Sequence, residues 1–253
     1  MTVREWRFSK NETNEKSLLK RLLNSRGIKT EEEIKEFLNP LEFTPYQPNV
    51  FTDMAKAVER LSRAIDNQEK IVIYGDFDAD GVTSTSLLYR TFNHLGANVN
   101  YFIPDREKEG HGFDTKALVK LMTALKPKVI ISVDCGISDI EAVNFIKSFK
   151  IDVIITDHHE APEQLPDAYA IINPKAQNAL DESLSAKDIE SLTSLAGVGV
   201  AFKVATGLLQ HYQKTDFISS ILPYVAVGTV ADVVPLVHEQ IPCNKRSGFN
   251  LKR

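Results

Sequence analysis

The chain has 253 residues, of which 43% are hydrophobic and 25% charged, and its formal net charge is −4. This length and composition fit one large globular domain or two smaller ones and exclude a disordered or fibrous protein. Residues 1–10 contain no apolar stretch, and Lys203 interrupts the most apolar segment, 196–209, so we expect neither a signal peptide nor a membrane span.

The cysteine content bears on the compartment. The two cysteines, Cys135 and Cys243, form neither a CxxC pair nor a disulfide framework. This pattern fits a reducing compartment, and we expect a cytoplasmic protein.

The first fifty residues are expected to form a helical accessory segment that ends in a linker. Helical patterns cover residues 15–24 and 30–38, and Thr30 and Glu33 have the spacing of a capping box. Three prolines between residues 40 and 48 indicate the linker, because proline interrupts a helix.

The main domain, expected over residues 51–236, alternates strand and helix patterns and opens with an amphipathic helix over 53–67. The strand patterns, each short and apolar, cover residues 71–74, 99–103, 129–133, 153–156 and 170–172. Near-continuous apolar strands separated by helices indicate a parallel sheet covered on both faces. We therefore predict a doubly wound α/β fold with a mainly parallel sheet. A polar connection up to about residue 188 and helices near 198–213 and 216–228 follow it.

The first predicted strand runs directly into a cluster of acids. The segment GDFDADG, residues 75–81, places Asp76, Asp78 and Asp80 at alternate positions beyond the carboxyl end of that strand. A single Asp in this place would be interpreted as a helix N-cap or as part of a solvated turn. Three neighbouring carboxylates repel one another, however, and a divalent cation supplies the missing countercharge. A carboxylate-rich cluster favours Mg²⁺ or Mn²⁺.

Two further predicted strands end in residue types that bind metals. The third strand ends at Asp134, and the fourth runs into Asp157, His158 and His159. Each of these residues alone has a structural alternative, since a lone Asp or His is more often structural than a ligand. Open α/β sheets bind ligands outside the carboxyl ends of their strands. We therefore expect these residues to meet the first acidic cluster at one edge of the sheet.

Helix starts offer candidate anion sites. Gly81 opens a helix whose backbone amides, with Thr83 and Ser84, would hold a phosphate oxygen, and helix capping is the alternative role. The segment lacks the spacing and the Lys of a nucleotide-binding P-loop. Gly197-Val198-Gly199 lacks the third glycine of a dinucleotide-binding fingerprint and is interpreted as a helix start. Its amides either face a nucleic-acid strand or serve packing alone.

Five segments, taken together and in this order, resemble the motifs of the DHH phosphoesterase family, and particularly of its members that act as exonucleases on single-stranded DNA. The segments are YGDFDADG at 74–81, IPDREKEGHG at 103–112, VDCG at 133–136, DHH at 157–159 and GTVADVVPL at 228–236. The resemblance extends over roughly residues 16–236, including the amino-terminal helix pattern.

The resemblance implies a set of site residues. Asp134 would bridge two cations, and the full set of implied metal ligands is Asp78, Asp80, Asp134, His158 and Asp232, with Asp76 and Asp157 as additional ligands or as residues that support them. Asp232 is implied by the resemblance alone, because in isolation it would be interpreted as an ordinary acid of a helix or loop. His159 and Arg106 would contact the scissile phosphate, with a surface ion pair as the alternative for Arg106, and Gly110 and His111 would line the substrate pocket.

The implied activity is hydrolysis of a phosphodiester with two Mn²⁺ or Mg²⁺ ions. Two such ions would offset the formal charge of −4, so an anionic substrate is compatible with the net charge. The expected partner is single-stranded nucleic acid, with DNA as its expected form. The resemblance implies 5′-to-3′ polarity. One alternative is a phosphodiesterase of short oligonucleotides, cyclic dinucleotides or nucleotide phosphates. A noncatalytic single-strand-binding scaffold is another, which the intact ligand set disfavours.

The end of the chain departs from the pattern of these exonucleases. Such proteins continue after the last motif into a second, DHHA1-type domain, whereas residues 237–253 form a divergent basic tail. We therefore expect a truncated product, a fragment or a short variant, or a separate polypeptide partner that supplies the second domain. In such proteins the second domain helps to grip single strands, so the grip on a substrate depends on whether that domain is supplied.

Overall fold

The structure, a computed structural model, describes residues 17–39, 45–105 and 112–236. Residues 1–43 and 44–253 form two compact units. The first unit contains two helices, α1 (Leu18–Ser25) and α2 (Glu31–Leu38), as the sequence predicts. The capping box of α2 is present, because Thr30 Oγ1 accepts the N–H of Glu33 at 3.1 Å while Glu33 Oε2 accepts the N–H of Thr30 at 2.9 Å.

The second unit is built on a five-stranded parallel sheet, which confirms the predicted fold class. The strands are β1 (Ile71–Gly75), β2 (Val99–Phe102), β3 (Val129–Val133), β4 (Asp152–Thr156) and β5 (Ala170–Ile172). Their order in the sheet is β2-β1-β3-β4-β5, and every pair is parallel. The order reverses between β1 and β3, as in other doubly wound sheets.

Helices cover both faces of this sheet. They are α3 (Met54–Asp66), α4 (Ala79–His94), α5 (Thr115–Leu125), α6 (Ile140–Ser148), α7 (Ala186–Thr193), α8 (Gly197–His211) and α9 (Ile218–Ala231). Helix α7 was not predicted. Its signal is a second capping box, in which Ser185 and Asp188 exchange hydrogen bonds within a segment otherwise interpreted as a polar connection.

The strands divide their side chains between two hydrophobic cores. Because successive side chains of a strand point to opposite faces, Ile71 and Ile73 pack with residues of α3, α4, α8 and α9, whereas Val72 and Tyr74 pack with residues of α5 and α6. Strands buried on both faces explain the near-continuous apolar runs in the sequence.

At the amino ends of the strands, a buried cation joins α3 to β4. The guanidinium group of Arg60, in α3, donates to Asp152 Oδ2 at 2.5 Å and lies 2.7 Å from Glu69 Oε2. The carboxyl ends of β1, β3 and β4, where the predicted site residues follow, lie at the opposite edge of the sheet.

Among the described residues, no single helix is both long and apolar enough to cross a membrane. Helices α7 and α8 meet those criteria only as a pair, and the pair is bent by 106°.

Candidate metal centre

The strand register brings three sequence clusters to one level at the carboxyl edge of the sheet. The last residues of β1, β3 and β4 are paired side by side. The residues that directly follow these strands are Asp76, Asp134 and Asp157. The edge includes the point between β1 and β3 at which the strand order reverses, where doubly wound sheets bind ligands.

Asp78 is both the N-cap of α4 and a member of the acidic cluster. Its Oδ1 accepts the N–H of Gly81 at 2.9 Å, so the capping interpretation is correct for this residue, and that amide is not free to hold a phosphate. The turn requires glycine at position 81, because a Cβ there would lie 2.4 Å from the carbonyl oxygen of Asp76. This tight turn brings Asp76 and Asp78 beside Asp134.

Among the described residues, three overlapping groups of potential metal ligands form at this edge. Within each group, one ligand atom from each residue lies within 4.8 Å of the others. The groups are Asp76, Asp78 and Asp134; Asp134, His158 and His159; and Asp80, His158 and Asp232. Asp134 joins the first group to the second and His158 joins the second to the third. The three groups therefore form one continuous set of donors, which is large enough for two cations.

His158 lies at the centre of this set. Its Nε2 is 3.2 Å from Asp134 Oδ1 and 3.8 Å from an oxygen of both Asp80 and Asp232. The five residues predicted as ligands are thus brought together, and Asp76 and His159 lie beside them.

Asp232 reaches the site from a helix rather than from a strand. It caps the carboxyl end of α9, and its N–H donates to the carbonyl of Gly228 at 2.9 Å. The next residue, Val233, has φ 62°, in the left-handed region that β-branched residues rarely adopt. Strand-end reasoning could not find Asp232, because no strand precedes it, and only the motif resemblance predicted it.

The buried carboxylates of the cluster favour a bound cation. Burial, and then the carboxylate of Asp134, raises the pKa of Asp80 to about 7. Burial, and then the carboxylate of Asp78, raises the pKa of Asp134 to about 9. Burial also raises the pKa of Asp232. Clustered, desolvated carboxylates are costly unless a cation accompanies them.

The donor atoms fit Mn²⁺ or Mg²⁺. Asp134 Oδ1 is buried and accepts no hydrogen bond from the described part of the chain, so an acceptor atom is left over for a ligand. Carboxylate oxygens are the preferred ligands of Mg²⁺ and Mn²⁺, and the imidazole of His158 suits the softer of the two, Mn²⁺.

Asp157 differs from the other acids because both of its carboxylate oxygens already accept hydrogen bonds. Its Oδ1 accepts hydrogen bonds from His159 Nδ1 at 2.7 Å and from the N–H of His158 at 2.7 Å, and its Oδ2 accepts the N–H of Ile137 at 3.0 Å. Although burial alone would raise it, these hydrogen bonds leave the pKa of Asp157 below its ordinary value. Asp157 also lies outside the three ligand groups and instead holds His159.

His159 is cationic and accessible as a result. The hydrogen bond to Asp157 raises the pKa of His159 to about 9, so its imidazole is protonated at neutral pH. With Nδ1 directed to Asp157, Nε2 remains for another partner, and 58% of the side chain is exposed. A cationic donor beside the acidic cluster suits a phosphate oxygen.

The hydroxyls of Thr83 and Ser84, predicted to bind substrate, form no anion site in this structure. Thr83 Oγ1 donates to the carbonyls of Ala79 and Asp80, at 2.7 and 3.0 Å. Ser84 is fully buried. Both hydroxyls are thus directed into helix α4 or the core, and a role for them in substrate binding stays a prediction.

Three other predicted residues, Arg106, Gly110 and His111, lie outside the described residues. The described chain resumes at Gly112, whose carbonyl accepts the Tyr74 hydroxyl at 3.1 Å. A cavity of about 320 Å³ lies beside the donor set and is lined by residues 134–139 and by Asp76, Gly112, Asp157 and His159. The half-exposed imidazole of His159 forms part of the wall of this cavity.

Comparisons with known proteins identify the family of this chain. The family model "DHH family, N-terminal domain" matches residues 70–229. The single-stranded-DNA-specific exonuclease RecJ of Bacillus subtilis is 41% identical over 225 residues, which cover 88% of this chain and 26% of the relative. RecJ of Escherichia coli is 37% identical over 230 residues, covering 87% of this chain and 37% of the relative. The chain thus spans about a quarter to two fifths of the length of these relatives.

Solved structures give the same likeness. A crystal structure of the exonuclease RecJ bound to manganese superimposes with a TM-score of 0.69 at 29% identity, covering 80% of this chain and 49% of that one. RecJ of Thermus thermophilus in complex with Mn²⁺ superimposes with a TM-score of 0.68 at 26% identity, covering 90% of this chain and 30% of that one.

Proposed function

Because the chain belongs to the DHH family, we propose that it hydrolyses phosphodiester bonds with two divalent cations, Mn²⁺ or Mg²⁺, held at the edge of the sheet. The observation that carries this proposal is that two ligand groups meet: Asp134, which lies with Asp76 and Asp78, is 3.2 Å from His158, which lies with Asp80 and Asp232. Manganese in the similar RecJ structures supports the choice of cation.

The proposed ligands are Asp78, Asp80, Asp134, His158 and Asp232, with Asp76 as an additional ligand of the first group. When bound, two such cations lower the pKa of an attacking water and offset the charge that develops on phosphorus. The carboxylates fix where that positive charge lies, because strands β1 and β3 and helices α4 and α9 hold them from separate directions. We place the catalytic unit within residues 51–236.

His159 is proposed to bind a nonbridging oxygen of the scissile phosphate. Asp157 keeps the imidazole protonated and fixes its orientation through the 2.7 Å hydrogen bond to Nδ1. This leaves Nε2 to donate to the phosphate, where the hydrogen bond strengthens as negative charge accumulates. We propose Arg106 as a second phosphate contact, on the strength of the motif that contains it.

Single-stranded DNA is the proposed substrate. The curated RecJ relatives are named as exonucleases specific for single-stranded DNA, and this chain is 41% identical to one of them. Removal of nucleotides in the 5′-to-3′ direction is the proposed polarity.

Digestion of end-labelled single-stranded DNA in the presence of Mn²⁺ tests this proposal, with an Asp78→Ala variant as the control. The expected result is progressive shortening from the 5′ end that requires Mn²⁺ and is lost in the variant. Cleavage of dinucleotides but not of long strands would favour a phosphodiesterase of small substrates. Binding of single strands without metal or cleavage would favour a noncatalytic scaffold.

A further inference from the structure

The amino terminus of α8 is bound to a carboxylate of the candidate metal centre. The N–H of Gly197 donates to Asp80 Oδ2 at 2.6 Å, and the N–H of Val198 donates to Asp80 Oδ1 at 2.8 Å. Asp80 lies more than a hundred residues earlier in the chain, in the first turn of α4. Both of its oxygens are therefore fixed by a second helix, and all three residues are buried.

These two amides have no partner within their own helix, because the first N–H groups of an α-helix lie before its first intrahelical acceptor. They also carry the positive end of the helix dipole. Their alignment with both carboxylate oxygens resists rotation of the carboxylate about χ2. The free N–H groups at the amino terminus of α8 therefore donate to a carboxylate of the protein itself. They do not face a nucleic-acid strand, and their role is more than packing.

The backbone of Gly197 also lies against a second carboxylate of the centre. A Cβ at position 197 would be 2.7 Å from Asp134 Oδ1 and 2.9 Å from Asp134 Cβ. These separations are shorter than van der Waals contact, and Asp134 is held at the end of β3 by a hydrogen bond from its N–H to the carbonyl of Thr156 at 2.9 Å. Any side chain at position 197 would thus displace Asp134, α8 or both.

We propose that Gly197 is a positioning residue of the metal centre: its N–H fixes Asp80 while its missing side chain leaves room for Asp134. The proposal rests on the proposed function in one respect, since it treats these two carboxylates as ligands. It adds a role for a residue that offers no ligand atom.

Metal affinity in Gly197→Ala, compared with Gly199→Ala, tests this role. Both substitutions favour a helix and lie in the first turn of α8, but a Cβ at position 199 would meet Leu195 Cδ2 at 2.9 Å, in the apolar core. By calorimetric titration with Mn²⁺, we expect Gly197→Ala to bind about tenfold more weakly than the unmodified chain. We expect Gly199→Ala to keep its affinity within about twofold. Equal affinities in both variants and the unmodified chain would overturn the proposal.

Amide hydrogen exchange tests the arrangement without any metal. In the metal-free chain, the N–H groups of Gly197 and Val198 should be protected from exchange. Asp80→Ala should remove this protection. The N–H of Val200, which donates to the carbonyl of Ala196 at 3.2 Å, should stay protected in the same variant. Unprotected amides at 197 and 198 in the unmodified chain would overturn the proposal, whether or not Gly197→Ala folds. Failure of the unmodified chain to bind Mn²⁺ would instead contradict the proposed function, and the exchange result would still decide the arrangement of α8.

Discussion

Asp134 is held in an unfavourable state when no cation is present. It is 2% exposed, its φ of 61° lies in the left-handed region, and its Oδ1 accepts no hydrogen bond from the described residues. Asp tolerates this backbone conformation better than most residues do. Its charge is what the surroundings disfavour, since burial and the carboxylate of Asp78 raise its pKa to about 9.

Replacement of the Asp134 carboxylate should change the stability of the metal-free protein and its affinity for Mn²⁺ in opposite directions. We expect Asp134→Asn to raise the melting temperature of the metal-free protein at neutral pH. The amide keeps the shape of the side chain, and folding no longer requires a carboxylate that must either stay charged while buried or take up a proton. The same variant should bind Mn²⁺ more weakly by about tenfold or more. Thermal melts with EDTA and with Mn²⁺ measure both effects, and Asp167→Asn, at an exposed acid outside the centre, is the control. A metal-free Asp134→Asn that melts below the unmodified chain would contradict this account.

The adjacent histidines give a second residue-scale prediction. His158 Nε2 is surrounded by three carboxylates, whereas His159 is fixed by Asp157 and largely exposed. His158→Ala should therefore lose Mn²⁺ affinity by about tenfold or more. His159→Ala should keep that affinity and slow hydrolysis by about a hundredfold, as removal of a proton donor does. Calorimetry and single-turnover cleavage measure the two quantities. The opposite assignment would follow if His159→Ala lost metal affinity and His158→Ala did not.

At the scale of elements, the two edges of the sheet differ in function. Residues that follow the carboxyl ends of β1, β3 and β4 form the candidate centre, whereas the amino ends are braced by Arg60 of α3 against Asp152 and Glu69. Arg60 is 4% exposed and contacts Asp152, the first residue of β4, whereas the ligand groups follow the carboxyl ends of the strands. The ion pairs of Arg60 should therefore affect the stability of the fold and not metal binding.

Removal of the brace tests this division. We expect Arg60→Ala to lower the free energy of unfolding by about 2 kcal/mol, because the carboxylates of Asp152 and Glu69 lose their cation in a partly desolvated place. Urea denaturation measures the loss. Arg63→Ala, three residues along the same helix at an exposed position, provides the control. A change in Mn²⁺ affinity of the folded Arg60→Ala variant would show that the two edges are not independent.

The elements also mark what could be predicted from the sequence. Apolar runs followed by acids or histidines were enough to predict β1, β3 and β4 and the convergence of Asp76, Asp80, Asp134 and His158, because parallel strands end at one edge. Two features follow from tertiary packing and have no local signal. The hydrogen bonds from α8 to Asp80 join residues 117 and 118 positions apart. Asp232 lies at the carboxyl end of α9, with no preceding strand.

Helix α7 was not predicted, and the sequence left open whether Asp157 binds metal or supports other site residues. The capping box at Ser185 and Asp188 is a usable local signal within a polar segment. Asp157 has the sequence context of a ligand, but the hydrogen bonds that occupy its oxygens come from His159 and from the N–H of Ile137, which is distant in sequence. Sequence spacing alone does not reveal which acids have satisfied oxygens.

At the scale of the whole molecule, the centre links folding stability to pH and to metal. Burial and neighbouring carboxylates raise the pKa of Asp80 from 3.8 to about 7 and that of Asp134 to about 9, so the folded metal-free chain binds protons more tightly than the unfolded chain does. Stability from such groups is present at low pH and decreases as the pH rises through these values. His159 acts in the same direction, because its pKa is raised from 6.5 to about 9.

We therefore expect the unfolding free energy of the metal-free chain to decrease between about pH 5 and about pH 8, and Mn²⁺ to oppose this decrease by supplying the countercharge. Urea titrations at both pH values, with EDTA and with Mn²⁺, measure the effect. A metal-free protein that becomes more stable over this interval would contradict the electrostatic description of the centre.

The central claim is that this chain holds two divalent cations on a donor set that shares Asp134. The stoichiometry of Mn²⁺ binding, measured by equilibrium dialysis of the unmodified chain and of Asp134→Asn at neutral pH, tests it most directly. The predicted result is two Mn²⁺ ions per chain, with both sites weakened in the variant because each depends on the shared carboxylate. Binding of no Mn²⁺, or undiminished binding of two ions by Asp134→Asn, would contradict the claim.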